Sequence, residues 1–433
     1  MLWSVCFFNY ADRQAFFAIF PHLEAELGFD PVQLGLIGSA FAWIYAFGAP
    51  FAGFIGDRVP RKHLILGGCT FWSLITLLTG TCGKLWQFVV VRALTGAGET
   101  FYFPAAMSLL SDYHGRRTRS LAFSFHQSAV YIGSIGGSWL GALLAEHFGW
   151  RLGFYFFGTV GVLLALLLYR VLREPQRGLA DAADSAGSGA ASAPDGAHTD
   201  THGVLLAPAT ESPGVKRTLQ LIFSKPTAVL LMTVFLGANF VATIFLAWTP
   251  KFLHDKFHFS IVEAGLYGAL FINVASACSV PVGGWLADRF AMRLAGGRIF
   301  VQALGLLAGA TFVAIVGLTD NVTTLIGSMC VFGLCKGLYD SNIFAALYDV
   351  IEPRARGTAA GIMNTVGWGG GALGPLAVGI ATKYGRHDSA MANMSEAIAF
   401  GAIIYVLGAG LLIVAAVFHA RKDAARVAAT TQS

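Results

Sequence analysis

The sequence predicts an all-α polytopic membrane protein in which twelve transmembrane helices form two pseudo-symmetric six-helix bundles. Of its 433 residues, 55% are hydrophobic and only 12% are charged, whereas roughly a quarter of the residues of a typical soluble protein are charged. A soluble fold of this size needs more polar cover than this chain supplies. The composition therefore argues against a soluble enzyme, a disordered chain and a nucleic-acid-binding protein. Twelve apolar runs and a one-sided distribution of basic residues support the membrane fold.

Each apolar run is close to the roughly 20 residues that a helix needs to cross a bilayer. The abundant glycine, 52 residues, suits close helix packing in lipid. No run shows the alternation of a membrane β-strand. The runs lie approximately at residues 2–22, 33–56, 64–82, 86–110, 119–145, 150–172, 226–249, 262–286, 298–318, 322–349, 357–382 and 396–419.

The Lys and Arg residues give the orientation of these spans. With the N-terminus inside the cell, inner loops and tails hold 20 of the 29 Lys and Arg residues, outer loops hold six, and Arg13, Arg92 and Lys336 fall within the membrane. Because cytoplasmic loops are enriched in Lys and Arg, the pattern predicts a multi-pass protein of the cell (inner) membrane with both termini cytoplasmic. The net charge of +5 then reflects orientation and contact with anionic lipid.

A small, polar segment divides the twelve spans six and six. Residues 174–217 are rich in Ala, Gly, Ser and Asp and are broken by Pro, so they cannot bury a core and are expected to be a flexible cytoplasmic linker. The predicted domains are an N-terminal six-helix bundle (1–173), this linker, a C-terminal six-helix bundle (218–420) and a cytoplasmic tail (421–433).

The two halves repeat one motif. The chain reads G-F-I-G-D-R-V-P-R-K from Gly53 and G-W-L-A-D-R-F-A-M-R from Gly284, so G-x-x-x-D-R follows the second span of each half. A duplicated six-helix unit is typical of secondary transporters whose two halves rock about a central binding site.

These motifs resemble those of the major facilitator superfamily over essentially the whole chain. The loop from Gly53 to Lys62 follows its G-x-x-x-D-R-x-x-R-K pattern, with Pro60 in place of the usual glycine. The segment R-A-L-T-G-A-G-E from Arg92 to Glu99 follows its R-x-x-x-G-x-G signature. The resemblance implies a transporter that works by alternating access and is not an enzyme.

Within the superfamily, N-Y-A-D-R at 9–13 and the Arg92/Glu99 pair resemble two branches. One is the anion:cation symporters, which carry sugar acids and other organic anions. The other is the spinster-like proteins, which carry lysolipids or sphingoid lipids. The run R-G-T-A-A-G-I-M-N-T-V-G at 356–367 favours the anion symporters. In that branch the acids matching Asp12 and Glu99 are proton sites, and the arginines matching Arg13 and Arg92 serve substrate binding and coupling.

In the superfamily, the loop after the second span latches one bundle against the other. The resemblance therefore implies a cytoplasmic gate formed by this loop and its repeat, with Gly53, Asp57, Arg58, Arg61, Asp288 and Arg289. The alternative is that the basic residues of these loops only set the orientation.

Six charged side chains lie deep within the predicted spans, where a charge costs several kcal/mol and marks a functional site by default. They are Asp12 and Arg13 in span one, Arg92 and Glu99 in span four, and the i, i+4 partners Lys336 and Asp340 in span ten. Three acids and three bases balance, so protonation of one acid leaves a positive charge that an organic anion neutralises. The binding of the proton and that of the anion favour each other, which predicts proton–anion symport.

Polar and aromatic side chains on the same spans complete the predicted binding site. With Arg13, Arg92, Lys336 and Asp340, they are Tyr45, Gln127, Tyr131, Asn364 and Trp368. Arginine suits a carboxylate substrate because its planar fork binds it bidentately. As alternatives, the pairs Asp12/Arg13 and Lys336/Asp340 are static neutralised pairs that hold helices together, and Arg92 extends to the interface.

Other functions compete with anion transport. The nearest is a spinster-like transporter of lysolipids or sphingoid lipids. A non-transporting membrane sensor and a polytopic membrane enzyme belong to other classes, and only Asp112 and His114 form a compact catalytic candidate. With no G-x-x-x-x-G-K-[ST] loop and no metal-ligand spacing among the six cysteines, no cofactor or metal is expected. The expected partners are an organic anion, protons and the bilayer, and the protein is expected to be a monomer.

Overall fold

The computed structural model describes residues 1–56, 59–114, 118–175, 215–294, 296–352 and 355–432, and every regular element in these ranges is a helix. The first half contains eight helices, in which spans one and four are each divided in two. They are α1 (Leu2–Ala18), α2 (Phe20–Leu27), α3 (Pro31–Gly56), α4 (Arg61–Thr79), α5 (Leu85–Thr100), α6 (Tyr102–Tyr113), α7 (Arg119–Phe148) and α8 (Trp150–Val171).

The second half repeats this arrangement after a short helix, and its fourth span is divided as well. Its elements are α9 (Val215–Phe223), α10 (Pro226–Phe257), α11 (Ile261–Ala291), α12 (Gly297–Leu318), α13 (Val322–Asp340), α14 (Ile343–Tyr348), α15 (Arg356–Tyr384), α16 (Ala390–Val414), a π-helical turn (Ala415–His419) and α17 (Ala420–Gln432). Most of the predicted linker, residues 176–214, lies outside the described residues.

All twelve predicted spans are helical, which confirms the predicted fold class. Nine helical stretches within the described ranges are long and apolar enough by themselves to cross a membrane. The other three predicted spans are the first, fourth and eleventh. α1 is only 17 residues long, the fourth span is broken at Phe101, and α15 is rich in glycine.

Proline explains two of the breaks. Pro21 and Pro104 lack the N–H that would bond to the carbonyl four residues earlier, and their rings clash with that carbonyl. The helix accordingly stops at Ile19 and at Phe101 and restarts at the next residue. The break in span ten is different, because Ser341 and Asn342 donate side-chain hydrogen bonds to the Leu338 carbonyl, which competes with helical bonding.

Polar contacts mark the two ends of the molecule. At the terminal end, where both chain termini lie, the Asp423 carboxylate accepts a 3.1 Å hydrogen bond from the Thr227 N–H. At the opposite end, called the far end here, Lys251 bonds to Glu24 and Lys383 bonds to Asp30 at 2.8 Å. Both far-end pairs join the first half to the second.

The close contacts between the halves lie near the far end. A Cβ on Gly35 of α3 would lie 2.5 Å from the Pro375 carbonyl oxygen of α15, and a Cβ on Gly379 would lie 2.3 Å from that of Pro31. On the other side, the Ser138 hydroxyl of α7 donates a 2.7 Å hydrogen bond to the Gly265 carbonyl of α11. The two halves are therefore closed against each other at the far end.

Candidate functional site

A cavity of about 230 Å³ lies between the two halves, on the terminal side of these contacts. α1, α3, α5 and α7 form one wall, and α10, α11, α13 and α15 form the other. Four charged side chains line it: Arg13 and Arg92 from the first half, and Lys336 and Asp340 from the second. The remaining lining is apolar, aromatic or uncharged polar. Two cationic side chains therefore face an acid–base pair across one small cavity.

Arg13 forms a buried ion pair with Glu99. Its Nε donates to Oε2 of Glu99, and the two side chains are 6% and 0% exposed. Glu99 lies behind Arg13 and is not part of the cavity wall. Aromatic rings surround the guanidinium, with the centroids of Phe41, Tyr45 and Trp368 at 4.6, 5.1 and 5.6 Å from Cζ. Rings at this distance stabilise a cation through their negative faces.

Asp12 points away from the cavity, towards α4. Its carboxylate accepts a 2.5 Å hydrogen bond from the Thr76 hydroxyl, and the residue is buried. Asp12 and Arg13 do not pair, because adjacent residues on a helix face different directions. The alternative of a static Asp12/Arg13 pair does not describe this arrangement, since the partner of Arg13 is Glu99.

Arg92 is the unpaired cation of the site. It lines the cavity and is 3% exposed, and its Nε and Nη2 donate to no residue that the structure describes. The guanidinium lies against two rings, 4.5 Å from the Phe16 centroid and 4.8 Å from that of Phe41. It does not extend to the interface. A buried guanidinium whose Nε and Nη2 have no partner among the described residues has the fork geometry that binds a carboxylate.

Lys336 and Asp340 form the charged group of the opposite wall. The ammonium of Lys336 bonds to Oδ2 of Asp340, and both side chains are partly exposed to the cavity. Tyr131 of α7 lines the same cavity from the first half.

The structure brings most of the remaining predicted binding residues to the cavity. Gln127, Tyr131 and Trp368 line it. Tyr45 packs on Trp368, with ring centroids 4.7 Å apart, and contacts the Arg13 guanidinium without lining the cavity. Asn364 is half-buried one turn before Trp368 and is not part of the wall. Their roles in binding stay predictions.

The predicted gate residues lie at the terminal end. Asp57 and Arg58 fall outside the described residues, and Gly53 lies in the last turns of α3. Arg61 bonds to Asp112 of the same half and, at 2.8 Å, to Glu174, the first residue of the predicted linker.

In the second half, Asp288 accepts a 2.8 Å bond from Arg298, and Arg289 is exposed. These described bonds do not join one bundle to the other. They are compatible with a gate that is released in this conformation, and the gating role stays a prediction.

Sequence reasoning missed several residues that contact the charged groups, among them Thr76, Phe41 and Tyr10, whose ring centroid lies 4.7 Å from Cζ of Arg13. Thr76 bonds to Asp12, and a hydroxyl in the middle of span three is a signal that a search for polar residues within spans finds. Phe41 lies against both Arg13 and Arg92. No sequence signal marks it, because an aromatic residue is common in any apolar span.

Comparisons with known proteins agree with this structure. The sequence model described as Major Facilitator Superfamily matches residues 2–375. The chain is 30% identical over 379 residues to the sodium-dependent phosphate transport protein 1, chloroplastic, of Arabidopsis thaliana, covering 86% of this chain and 70% of that protein. It is 28% identical over 415 residues to the probable galactarate/D-glucarate transporter GudP of Bacillus subtilis (strain 168), covering 90% and 86%.

Among solved structures, the fold is similar to the crystal structure of a bacterial homolog to the human lysosomal transporter Spinster in its inward-facing and unoccupied conformation. The TM-score is 0.80 at 21% identity, and the match covers 98% of this chain and 96% of that one. At this identity the likeness concerns the fold.

Proposed function

The chain belongs to the Major Facilitator Superfamily and is a multi-pass membrane transporter, and from this premise we propose that it moves a small organic anion by proton-coupled symport. The proposed substrate is a sugar acid or another carboxylate. The single observation that carries the proposal is Arg92, a buried cation with free donors in the wall of a central cavity. An unpaired buried charge is costly, and a bound carboxylate compensates it.

The charges around the cavity support the coupling to protons. Arg13 is neutralised by Glu99, and Lys336 by Asp340, which leaves Arg92 and Asp12 as the separated charges. When a proton binds to Asp12 or Glu99, the site gains one positive charge and attracts an anion. When the anion binds to Arg92, it removes the positive charge that opposes the proton. The two ligands therefore promote each other's binding.

Glu99 is proposed as the acid that links the two ligands most directly. Protonation of its carboxylate removes the counter-charge of Arg13, whose guanidinium lines the cavity. Arg13 is then free to join Arg92 in binding the substrate. Protonation of Glu99, which lies behind the cavity wall, therefore raises the affinity of the cavity for the anion.

The relatives and the size of the cavity favour an anion over a lipid. The two relatives named above are a phosphate transporter and a probable sugar-diacid transporter by their names. A cavity of about 230 Å³ is smaller than the roughly 300–1,000 Å³ of typical sites for drug-sized ligands. The cavity suits a sugar acid better than a lysolipid. A lysolipid is the second candidate substrate, because the fold is similar to that of the Spinster homolog and Phe17, Phe41 and Trp368 line the cavity.

The test is uptake by purified protein in proteoliposomes. A panel of organic anions is presented with an imposed pH gradient, and the variant Glu99→Gln is compared with the wild type. We expect the variant to lose gradient-driven accumulation and to retain exchange of anion for anion. If the variant still accumulates substrate against its gradient, Glu99 is not the coupling acid. Binding of lysolipid in place of all the anions supports the spinster-like function.

The proposal includes the orientation and the gate. Both termini and the 20 basic residues of the inner loops are placed on the cytoplasmic side of the cell membrane. The far end is then the outer end, and the structure is the conformation closed to the outside. The motif loops with Asp57, Arg58 and Arg61, and their repeat with Asp288 and Arg289, close the terminal end in the opposite state.

A further inference from the structure

The acid–base pair of the second half, Lys336 and Asp340, does not have the geometry of an ion pair that joins two helices. Both residues lie on α13, so their bond joins no two helices. The order of the two residues also stabilises a helix less. An acid four residues before a base stabilises a helix more than a base four residues before an acid, and here the base comes first. Holding helices together therefore does not explain the pair.

The pair is accessible to a ligand. The side chains of Lys336 and Asp340 are 24% and 28% exposed, whereas those of Arg13 and Glu99 are 6% and 0% exposed. An ammonium has three N–H donors. Within the described part of the chain, the Lys336 ammonium makes one hydrogen bond, to Asp340. Its other donors are available in the cavity.

The fold places this pair opposite the arginines. The fourth span of each half breaks just after its acid, at Phe101 after Glu99 and at Ser341 after Asp340. Arg92 belongs to the fourth span of the first half and Lys336 to that of the second half, so the cavity has a cation in each wall. A single substrate that bridges the walls meets Arg92 on one side and Lys336 on the other.

On the basis of the proposed function, we propose that Lys336 determines substrate specificity. Arg92 binds one carboxylate, and Lys336 donates to an oxygen acceptor at the opposite end of the same molecule, either a hydroxyl or a second carboxylate. The substrates are then polyhydroxylated or dicarboxylic acids that reach both walls, and short monocarboxylates bind poorly. Asp340 holds the ammonium in position and competes with the substrate for its donors.

The test measures binding of three probes to the full-length protein, without a proton gradient. The probes are glucarate, gluconate and propionate. Glucarate has hydroxyls and two terminal carboxylates, and gluconate has hydroxyls and one carboxylate. Propionate has one carboxylate and no hydroxyl. Lys336→Gln is expected to weaken glucarate and gluconate binding about tenfold or more, as for loss of a charged hydrogen bond, and to leave propionate within about twofold. Asp340→Asn removes the negative charge that competes for the ammonium and is expected to strengthen glucarate binding. The gain is expected to be larger for glucarate than for gluconate if the second carboxylate is the partner of Lys336.

Lys256→Gln is the matched control, because this lysine is also paired with an aspartate, Asp320, but lies at the far end outside the cavity. If Lys336→Gln does not fold, the gain expected for Asp340→Asn carries the test alone. An unchanged ratio of glucarate to propionate affinity in the folded variants overturns the proposal while anion transport stands. A wild-type protein that binds none of the anions of the transport panel, these three probes included, overturns both.

Discussion

Two arginines of the same cavity differ in what their removal does to the fold. Arg13 has a buried partner, so Arg13→Gln leaves the Glu99 carboxylate uncompensated. Breaking a buried pair in this way costs about 3–5 kcal/mol. We expect a lower unfolding temperature for Arg13→Gln in detergent and recovery in the double variant Arg13→Gln/Glu99→Gln, measured by thermal unfolding with intrinsic fluorescence.

Arg92→Gln is the matched comparison for this prediction. Because Arg92 donates no hydrogen bond from Nε or Nη2 to a described residue, its removal relieves a buried charge and does not orphan a partner. Stability is expected to be equal or higher, while anion binding is lost. Equal destabilisation by the two arginine substitutions contradicts the assigned pairing.

At this scale the sequence predicted the charged residues but not their partners. Charge within an apolar span is visible in the sequence, so all six ionisable side chains were identifiable. Which base meets which acid depends on helix rotation, and the neighbours Asp12 and Arg13 face different helices in the fold. The clustering of Phe41, Tyr45 and Trp368 around Arg13 requires the contact between α3 and α15, which no local pattern encodes.

Among the helices, α3 and α15 carry the closest contact between the halves. A Cβ on Gly35 would lie 2.5 Å from the backbone oxygen of Pro375, and backbone does not move aside as a side-chain end does. Gly35→Ala is therefore expected to block closure of the far end and to lower transport strongly. Gly369→Ala on α15 is the control, since nothing lies within 4 Å of its added Cβ.

The state of Gly35→Ala is measured by crosslinking across the far end. Cysteines at Glu24 and Lys251, which bond in this structure, are expected to crosslink in an otherwise wild-type chain and not in the Gly35→Ala chain. Efficient crosslinking in both chains shows that the contact tolerates a methyl group, against the prediction.

The short helix α2 is held by a bond that responds to pH. The Glu26 carboxylate accepts a hydrogen bond from Arg151 and one of 2.7 Å from the Trp150 indole, and chiefly the Arg151 bond holds its pKa below the usual value. Because the folded pKa is the lower one, the stabilisation is complete above the ordinary glutamate pKa of about 4.3 and is lost as the pH falls through the lowered value.

The measurement is the unfolding temperature of wild type and Glu26→Gln as the pH falls from about 5 to about 3, across the ordinary glutamate pKa. The wild type is expected to lose its advantage over Glu26→Gln along this range, and the two curves are expected to stay apart above it. Parallel curves across the whole range contradict a role of the ionised carboxylate.

Helix boundaries show which local structure could be read from the sequence. Pro21 and Pro104 lie at two of the breaks, although the apolar runs continue through them. Because Pro250, Pro281 and Pro375 lie inside unbroken helices, a proline alone does not predict a break. The break at Ser341 and Asn342 depends on side-chain bonds, and Asn342 also donates to the Gly283 carbonyl of α11. That partner is 59 residues away in the chain, so a span-by-span reading cannot find it.

For the whole molecule, the duplicated motifs and the basic loops predicted two bundles and their orientation, but not which end is closed. An alternating-access carrier adopts its inward-open and outward-open states with the same sequence. The pattern of residues therefore does not indicate which end is closed. The closed far end follows from contacts between halves: the two lysine pairs with Glu24 and Asp30 and the glycine contacts of α3 and α15. Closure is thus a property of packing and not of composition.

Access to the cavity from one side is the corresponding prediction. Gln127 lines the cavity and is exposed, so Gln127→Cys reports access once the exposed native Cys278 is replaced by Ser. A membrane-impermeant thiol reagent is expected to label this cysteine in inverted vesicles, where the cytoplasmic side faces out, and much less in right-side-out vesicles.

Weakening the far end should reverse that preference. Lys251 is buried while its partner Glu24 is partly exposed, and Lys383 forms a more exposed pair with Asp30. Removing both lysines leaves the closed state without the two ionic contacts that join the halves in the described part of the chain. Even a shift of about 1.4 kcal/mol changes the ratio of states tenfold. We expect Lys251→Gln/Lys383→Gln to raise labelling of Gln127→Cys in right-side-out vesicles. Labelling from the outer side already in the parent chain, with no change on removing the lysines, contradicts both the orientation and the closed far end.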